Sequence, residues 1–347
     1  MGDPGGIGPE VIAKALQDFR ESRDFYFLLI GTSVVFDFLK DQYRLDLPLH
    51  PLPTLEASFL REDSINFLDV SKETDWMLRN SSLAKGEAGA GLAEKLKGEY
   101  VFDIGKVSEV NAAMSFAALK VAAYQAATGL VDALVTAPVN KTSIRLMDPK
   151  FNGHTEYLAK IAKTKHFAMM FVGKRLKVTL ATIHVPVKKV SHLITQDLVL
   201  EKIRLTNLFL RTHFNLAKPR LAVCTLNPHG KETGEEDEAE IAPAVQLACA
   251  EKIDATGPLS ADQVFHDAYE GRFDAVISMY HDQGLAPFKM IHFRDGVNVT
   301  LGLPFVRTSP DHGTAFDIAY QNKADAQSMK AAIDLAKELL CPPKSSF

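Results

Sequence analysis

The apolar positions of the chain fall into short, β-prone runs separated by stretches in which they recur every three or four residues. The runs lie at residues 25–30, 132–138, 177–183, 220–226 and 274–279. Helical spacing is predicted between them, over about 108–128, 154–164, 196–214, 237–251 and 261–269. A further helix is predicted after Pro9, where Val11, Ile12, Ala15 and Leu16 share a face, and another after Gly31-Thr32. Gly129 is the expected residue just beyond the end of the helix over 108–128. Residues 42–80 contain prolines and only short apolar pieces and read as irregular, with Trp76 at the surface or in packing. Alternation of strand and helix predicts an α/β fold with a largely parallel sheet covered on both faces. Ligands of such sheets gather at the carboxyl ends of the strands.

Those ends carry the candidate chemistry. The run at 132–138 is followed by Asn140 and Lys141, that at 177–183 by His184, that at 220–226 by Asn227-Pro228-His229, and that at 274–279 by Tyr280-His281-Asp282. One strand-end histidine is more often a satisfied polar group than a ligand. Three at one edge leave a metal site and ordinary polar roles both open. Neutral imidazoles suit Zn²⁺, Co²⁺ or a similar ion, with positions left for substrate oxygens. The histidines lie too far apart in sequence for a local zinc-finger module. His50, His166, His192, His213 and His292 have no convergent context.

Cations and a helix start point to an anion. Lys289 and Arg307 flank the strand-like Val297-Asn298-Val299-Thr300, and a point charge and a planar fork both suit phosphate or carboxylate. Gly153-His154-Thr155-Glu156 opens a helix that could receive an anion, or Thr155 could simply cap it. Gly2-Asp3-Pro4-Gly5-Gly6-Ile7-Gly8-Pro9-Glu10 is a Gly/Pro loop that either exposes amides to a ligand or forms a tight turn. It is neither GxGxxG nor a P-loop, and the strand expected before such a turn is missing from the sequence. Asp311-His312-Gly313-Thr314 is a Gly-containing turn that opens a helix-like segment. The acidic run Glu235-Glu236-Asp237-Glu238 reads as a solvated helix start rather than a metal site.

Composition narrows the class. The chain has 347 residues, a net charge of −4, 46% hydrophobic and 24% charged residues. That is ordinary for a soluble protein of about two domains. The balance gives no reason to expect nucleic acid or an acidic membrane surface. No apolar run reaches the length of a membrane span and no signal peptide is recognisable. Three scattered cysteines fit a reduced, cytoplasmic setting, with Cys224 as inert core.

Taken together, GDPGGIGPE, VTAPVNK, NGHTE, ATIHVP, LNPH, GPLSAD, YHDQGLAPFK, GVNVTLGLPFVRTS and DHGTA resemble the 4-hydroxythreonine-4-phosphate dehydrogenase family of pyridoxal phosphate biosynthesis. The likeness runs over essentially the whole chain. It implies a two-lobed α/β/α subunit similar to isocitrate and isopropylmalate dehydrogenases. The expected lobes are 1–140 plus 295–347 and 141–294, the second carrying the histidines, with the active site in the cleft between them. It also implies a homodimer with metal ligands shared between partners.

By motif, the implied metal ligands are His184, His229 and His281, for one Zn²⁺, Mg²⁺ or Co²⁺ per site. The implied substrate contacts are His154, Thr155, Lys289, Asn298 and Arg307. The turn Asp311-His312-Gly313-Thr314 resembles the segment with which β-decarboxylating dehydrogenases hold the adenosine end of NAD, so NAD or NADP is expected there. Asp262 of PLSAD is the first candidate for the base and Lys141 the second. The loop after Asn227-Pro228-His229 is shorter than the usual Gly-rich version. The implied reaction is metal-dependent oxidation of 4-phosphohydroxy-L-threonine to a 3-oxo acid that decarboxylates. A sister dehydrogenase acting on a phosphorylated sugar acid or a dihydrodiol carboxylate is the alternative. A three-histidine hydrolase without nucleotide and a non-catalytic phosphometabolite binder are rivals from other classes.

Overall fold

The computed structural model describes residues 1–19, 24–81 and 102–341. They divide into two compact units: one of residues 1–161 and 309–333, the other of residues 162–308 and 334–347.

In the first unit, β1 (Leu28–Gly31), β2 (Leu49–Pro51) and β3 (Ile65–Asp69) form a parallel sheet in the order β1-β3-β2. Helices α1 (Gly8–Phe19), α2 (Ser33–Tyr43), α3 (Ser71–Asn80) and α4 (Glu109–Ala127) accompany it, and a short strand, β4 (Ala133–Val135), follows α4. Val11, Leu16, Val35, Phe36, Leu39, Phe67 and Met114 share one core. The expectation that 42–80 is irregular is therefore corrected, since the stretch holds β2, β3 and α3. The pattern was masked by a polar residue inside β3. Asn66 is fully buried, its amide donating to Phe27 O (3.2 Å) and Arg61 O (3.0 Å) while its Oδ1 accepts from Arg61 N–H (2.9 Å). Helix α4 starts on Ser108, whose hydroxyl accepts from Asn111 N–H. It ends on Gly129 at φ +75°, where the Gly129 and Leu130 amides bond back to Ala126 and Gln125.

The Gly/Pro loop before α1 is a packed knot rather than an open cradle. Asp3 N–H donates to Pro138 O, Gly6 N–H to Asp3 O, and Ile7 N–H to Thr314 O. Gly5 N–H donates to Asp3 Oδ1 at 3.0 Å. With these amides spent inside the protein, the tight-turn reading holds. Gly5 also sits against the turn before α4. A Cβ there would lie 2.7 Å from Lys106 O and 2.8 Å from Asp103 O, and closer still to Asn111 Nδ2. Asn111 itself bonds Asp103 and Lys106 and so holds that turn shut.

Helices α5 (Lys141–Arg145) and α6 (His154–Ile161) also belong to the first unit. Phe116 of α4 meets Phe151 and Tyr157 at ring-centroid distances of 6.4 and 5.5 Å, which draws residues 141–161 into this unit. The compact units thus depart from the lobes expected at 1–140 plus 295–347 and 141–294.

In the second unit, β5 (Ala168–Val172), β6 (Lys177–Leu180), β7 (Arg220–Cys224), β8 (Asp254–Leu259), β9 (Ala275–Ser278) and β10 (Val297–Leu301) lie in the order β10-β5-β6-β9-β7-β8. Strand β11 (Val306–Pro310) lies beside β10. Strand β5 is antiparallel to both neighbours, whereas β6, β9, β7 and β8 are mutually parallel. Strands β5 and β8 were not expected. Two methionines fill the centre of β5, and β8 contains Gly257-Pro258, so neither shows a plain strand pattern.

Helices α7 (Val190–Leu193), α8 (Gln196–His213), α9 (Ala242–Ala250), α10 (Ala261–Tyr269) and α11 (His281–Ile291) belong to the second unit, and α12 (Gln327–Leu340), the last described α-helix, runs from the first unit into the second. Val178, Leu180, Ala222, Val276, Val264, Leu285 and Phe288 form the core under the parallel strands. Cys224 is fully buried there, and burial pushes its thiol far above the ordinary range, as inert core should be. The predicted helix after His312 is a single 3₁₀ turn, Phe316–Ile318, because Ala315 before it is left-handed at φ 41°.

Gly5→Ala is expected to cost roughly 1–3 kcal/mol, because an overpacked Cβ must displace the Asp103–Lys106 turn. Urea denaturation checks this, and an unchanged midpoint would show that the loop is not packed as described.

Candidate active site

Parallel pairing of β6, β9, β7 and β8 sets the geometry of the second unit's candidate residues. Each strand runs out at the same edge of the sheet and passes into a turn carrying one of them. His184 follows β6, His281 opens α11 after β9, His229 follows β7, and Asp262 lies in the first turn of α10 after β8. At ~4.8 Å between strands, the four roots span roughly 15 Å of edge, with His281 between the other two histidines.

The histidine rings are accessible. His184 and His229 are exposed and His281 is partly so. The His184 and His281 rings lie 5.8 Å apart. His281 Nδ1 is 2.7 Å from Asp282 Oδ1, an arrangement that orients an imidazole and leaves its other nitrogen for a ligand. This donor pair fits a divalent ion of the borderline class. His229 stands on a left-handed residue (φ 56°). Among the described residues, no three His, Cys, Asp or Glu side chains are gathered closely enough to hold an ion. The chain by itself brings His184 and His281 together, with His229 rooted on the adjacent strand.

The His229 turn has supports that its sequence concealed. Asp237 is buried, and its carboxylate accepts from Leu226 N–H (2.7 Å), Asn227 N–H (3.1 Å) and Asn227 Nδ2 (3.0 Å). Glu236 accepts from the same Asn227 amide at 2.9 Å. Asp237 opens a π-helical turn, Asp237–Ile241, that leads into α9. The acidic run is therefore not simply a solvated helix start, since two of its four members tie down the residues before His229. The missed signal is Asn227 next to Pro228: a side chain with two donors beside a turn calls for nearby acceptors.

The expected anion contacts separate into groups. Arg307 on β11 is 3% exposed, and its Nη1 donates to Thr300 Oγ1 at 3.2 Å. Asn298 and Thr300 lie two apart on β10 and so share a face. Among the described residues, Asn298 Oδ1 is buried without a hydrogen-bond partner. Buried polar atoms are normally satisfied, so this acceptor beside an Arg-bearing strand fits a ligand-facing role. Lys289 sits on α11 with Nζ 5.6 Å from the Phe293 ring. It is roughly 12 Å along the helix from His281, so the two share an element without being brought into contact.

In the first unit, α6 opens with His154 and the buried Thr155. His154 stacks edge-on to Phe151 at 6.5 Å. A Cβ on Gly153 would lie 2.9 Å from Glu156 Oε2 and 3.6 Å from Lys141 Nζ, so Lys141 and the start of α6 are neighbours. Asp262, the other candidate base, is exposed in the second unit. The turn Asp311–Thr314 is anchored by Asp311 N–H donating to Ser328 Oγ (3.3 Å) and by Thr314 O accepting from Ile7. His312 Nδ1 lies 3.0 Å from Gly313 O. Around Gly313, an added Cβ would meet none of the described residues within 4 Å, and Gly313 is not among the glycines at positive φ. Neither packing nor backbone demands glycine there, which fits a position where a nucleotide approaches from outside.

A family model described as "Pyridoxal phosphate biosynthetic protein PdxA" matches residues 54–336. The chain belongs to this family. It is 40% identical to the 4-hydroxythreonine-4-phosphate dehydrogenase of Geobacter metallireducens, covering 98% of this chain and 94% of that one. It is 36% identical to the D-threonate 4-phosphate dehydrogenase of Pectobacterium atrosepticum, covering 98% and 97%. The crystal structure of 4-hydroxythreonine-4-phosphate dehydrogenase from Klebsiella pneumoniae is 34% identical and superposes with a TM-score of 0.80 over 98% of this chain and 97% of that one. A terephthalate 1,2-cis-dihydrodiol dehydrogenase from Burkholderia xenovorans, 24% identical with a TM-score of 0.61 over 96% and 95%, shares the fold. No helix among the described residues is long and apolar enough to cross a membrane.

Asp237→Ala would leave the half-buried Leu226 and Asn227 amides without their acceptor, at a cost of about 1–3 kcal/mol in all. Asp237→Asn, which retains an acceptor, should cost less. Denaturant titration of the two variants reads the difference, and equal stabilities would remove Asp237 as the support of the turn.

Proposed function

We propose that the chain oxidises 4-phosphohydroxy-L-threonine in pyridoxal 5'-phosphate biosynthesis, giving a 3-oxo acid that loses CO₂ to leave 3-amino-2-oxopropyl phosphate. The observation that carries this reading is the row of His184, His281, His229 and Asp262 along one edge of four parallel strands, in a chain of the PdxA family. His184, His229 and His281 would hold the divalent ion, with ligands shared in a homodimer, and Asp311, His312, Gly313 and Thr314 would hold the adenosine end of NAD or NADP. When bound, the ion supplies Lewis acidity at the alcohol oxygen and the nucleotide supplies the hydride acceptor.

The protein's own groups do the rest. His154, Thr155, Lys289, Asn298 and Arg307 bind the phosphate and carboxylate and fix the C3 hydroxyl in register. The Arg307 fork, held by Thr300 inside the sheet, suits a two-point contact with an anion. Asp262 accepts the proton of the C3 hydroxyl, with Lys141 as the second candidate. Oxidation at C3 places a ketone β to the carboxylate, so the C1–C2 electron pair can pass toward the ketone oxygen as CO₂ departs. Charge developing on that oxygen requires positive groups near it.

The relative named for D-threonate 4-phosphate supports a second reading. A phosphorylated sugar acid offers the same phosphate, carboxylate and secondary alcohol, with a hydroxyl where threonine carries its amine. Both readings need the same ligands and differ only at C2.

NADH formation, followed at 340 nm with each acid and with or without chelator, tests both. Chelator-sensitive turnover is expected, strongest on the threonine derivative. Preference for D-threonate 4-phosphate would move the chain to the second reading, and no NADH from either acid would overturn the oxidoreductase assignment. His281→Ala is expected to abolish metal-dependent turnover and leave the fold intact. If turnover and its metal requirement persist unchanged, His281 is not a ligand.

Arg307→Lys keeps the charge and loses the fork. It should raise KM for the phosphorylated acid by about 10- to 100-fold, the equivalent of one charge-assisted hydrogen bond. Steady-state kinetics with an unchanged KM would take Arg307 out of the site.

A further inference from the structure

Gln283 and Thr182 have no part in the proposed reaction, yet together they lace the three histidine turns to one another. Thr182 lies two residues before His184. Its hydroxyl donates to Met279 O at 2.7 Å and its amide to the same oxygen at 3.1 Å. Met279 lies just past β9 and two residues before His281. Its N–H donates to Gln283 Oε1 at 2.7 Å. Gln283 Nε2 in turn donates to Thr225 O at 2.7 Å, just past β7 on the way to His229. The path Thr182–Met279–Gln283–Thr225 thus crosses from β6 to β9 to β7 beyond the point where the strands stop pairing.

We propose that Gln283 is a positioning residue for the metal donors, holding the His281 turn and the His229 turn in fixed register. This rests on the metal reading above. The chemistry suits a primary amide and little else. Gln presents a donor and an acceptor a fixed distance apart on one uncharged head group, and both backbone groups it meets belong to turns. Its root is also well placed, in the first turn of α11, two residues from His281. The His229 turn needs such a tie because His229 is exposed and so is not fixed by burial. Asp237 holds that turn from the α9 side, and Gln283 holds it from the side of the neighbouring histidine. A site whose donors come from separate turns binds well only when those turns do not drift, and partners one step behind a ligand commonly set metal affinity.

Two variants test this. Gln283→Met keeps the length and loses both bonds. Gln283→Glu keeps the acceptor for Met279 N–H, loses the donor and sets a carboxylate against Thr225 O. Co²⁺ binding would be measured by calorimetry and by its visible absorption, beside the melting temperature of the metal-free protein. Both variants are expected to weaken Co²⁺ binding by about 10- to 100-fold and to alter the absorption band. A fall in melting temperature with wild-type Co²⁺ affinity and spectrum would mean that Gln283 only stabilises the fold, and would overturn the proposal. His281→Ala, titrated in parallel, separates the two levels. If it binds Co²⁺ as the wild type does, the metal assignment itself has failed. If it loses binding while both Gln283 variants keep it, only the positioning role has failed.

Discussion

Parallel pairing of β6, β9, β7 and β8 is the constraint on which the second unit's candidate chemistry depends. Parallel strands all end at the same edge, so residues far apart in sequence arrive side by side without any local motif. The order places β9 between β6 and β7, and so His281 between His184 and His229. A different order with the same strands would keep every motif and scatter the donors. The buried apolar contacts beneath, among Val178, Leu180, Ala222, Val276 and Leu285, hold that order.

Beyond the last paired residues, backbone hydrogen bonding passes to side chains. Thr182, Gln283 and Asp237 take up amides and carbonyls that the sheet no longer satisfies. Under the proposed function this resolves a conflict between two demands. A ligand-binding imidazole must remain accessible, so it cannot be fixed by burial. Its root must still be rigid, so the fixing falls on the residues just before it. Arg307 shows the opposite solution. Its strand is buried throughout and its own side chain is 3% exposed, so the guanidinium is held directly by Thr300.

How legible the fold was in the sequence follows from where periodicity is clean. The helix over 109–127 and the strands over 177–180, 220–224 and 275–278 show plain patterns and appear close to their expected places. Strands β2, β3, β5 and β8 do not, each for a local reason: prolines in and beside β2, a buried Asn66 in β3, methionines in β5, Gly-Pro in β8. The strand-end histidines were readable because a strand followed by a polar residue is a short-range signal. Their supports were not, because Gln283 reaches from the end of β9 to Thr225 beyond β7, and no spacing along the chain announces that Asp237 will turn back to cap Leu226 and Asn227.

Glycine-rich segments make the same point from the other direction. GDPGGIG and DHGT are both glycine-containing segments read as places where a ligand could approach, and the packing around them distinguishes the two. At Gly5 and Gly6 an added Cβ would strike the Asp103–Lys106 turn and Thr314, so glycine is there for the protein's own backbone. At Gly313 it would strike none of the described residues. Because Ile7 N–H bonds Thr314 O, the closed loop serves as the floor on which the open one is mounted. Under the proposed function, Gly313 is the glycine whose absent side chain would leave room for the nucleotide, and the hydrogen bond from Ile7 N–H to Thr314 O gives its turn a defined position from which to meet it.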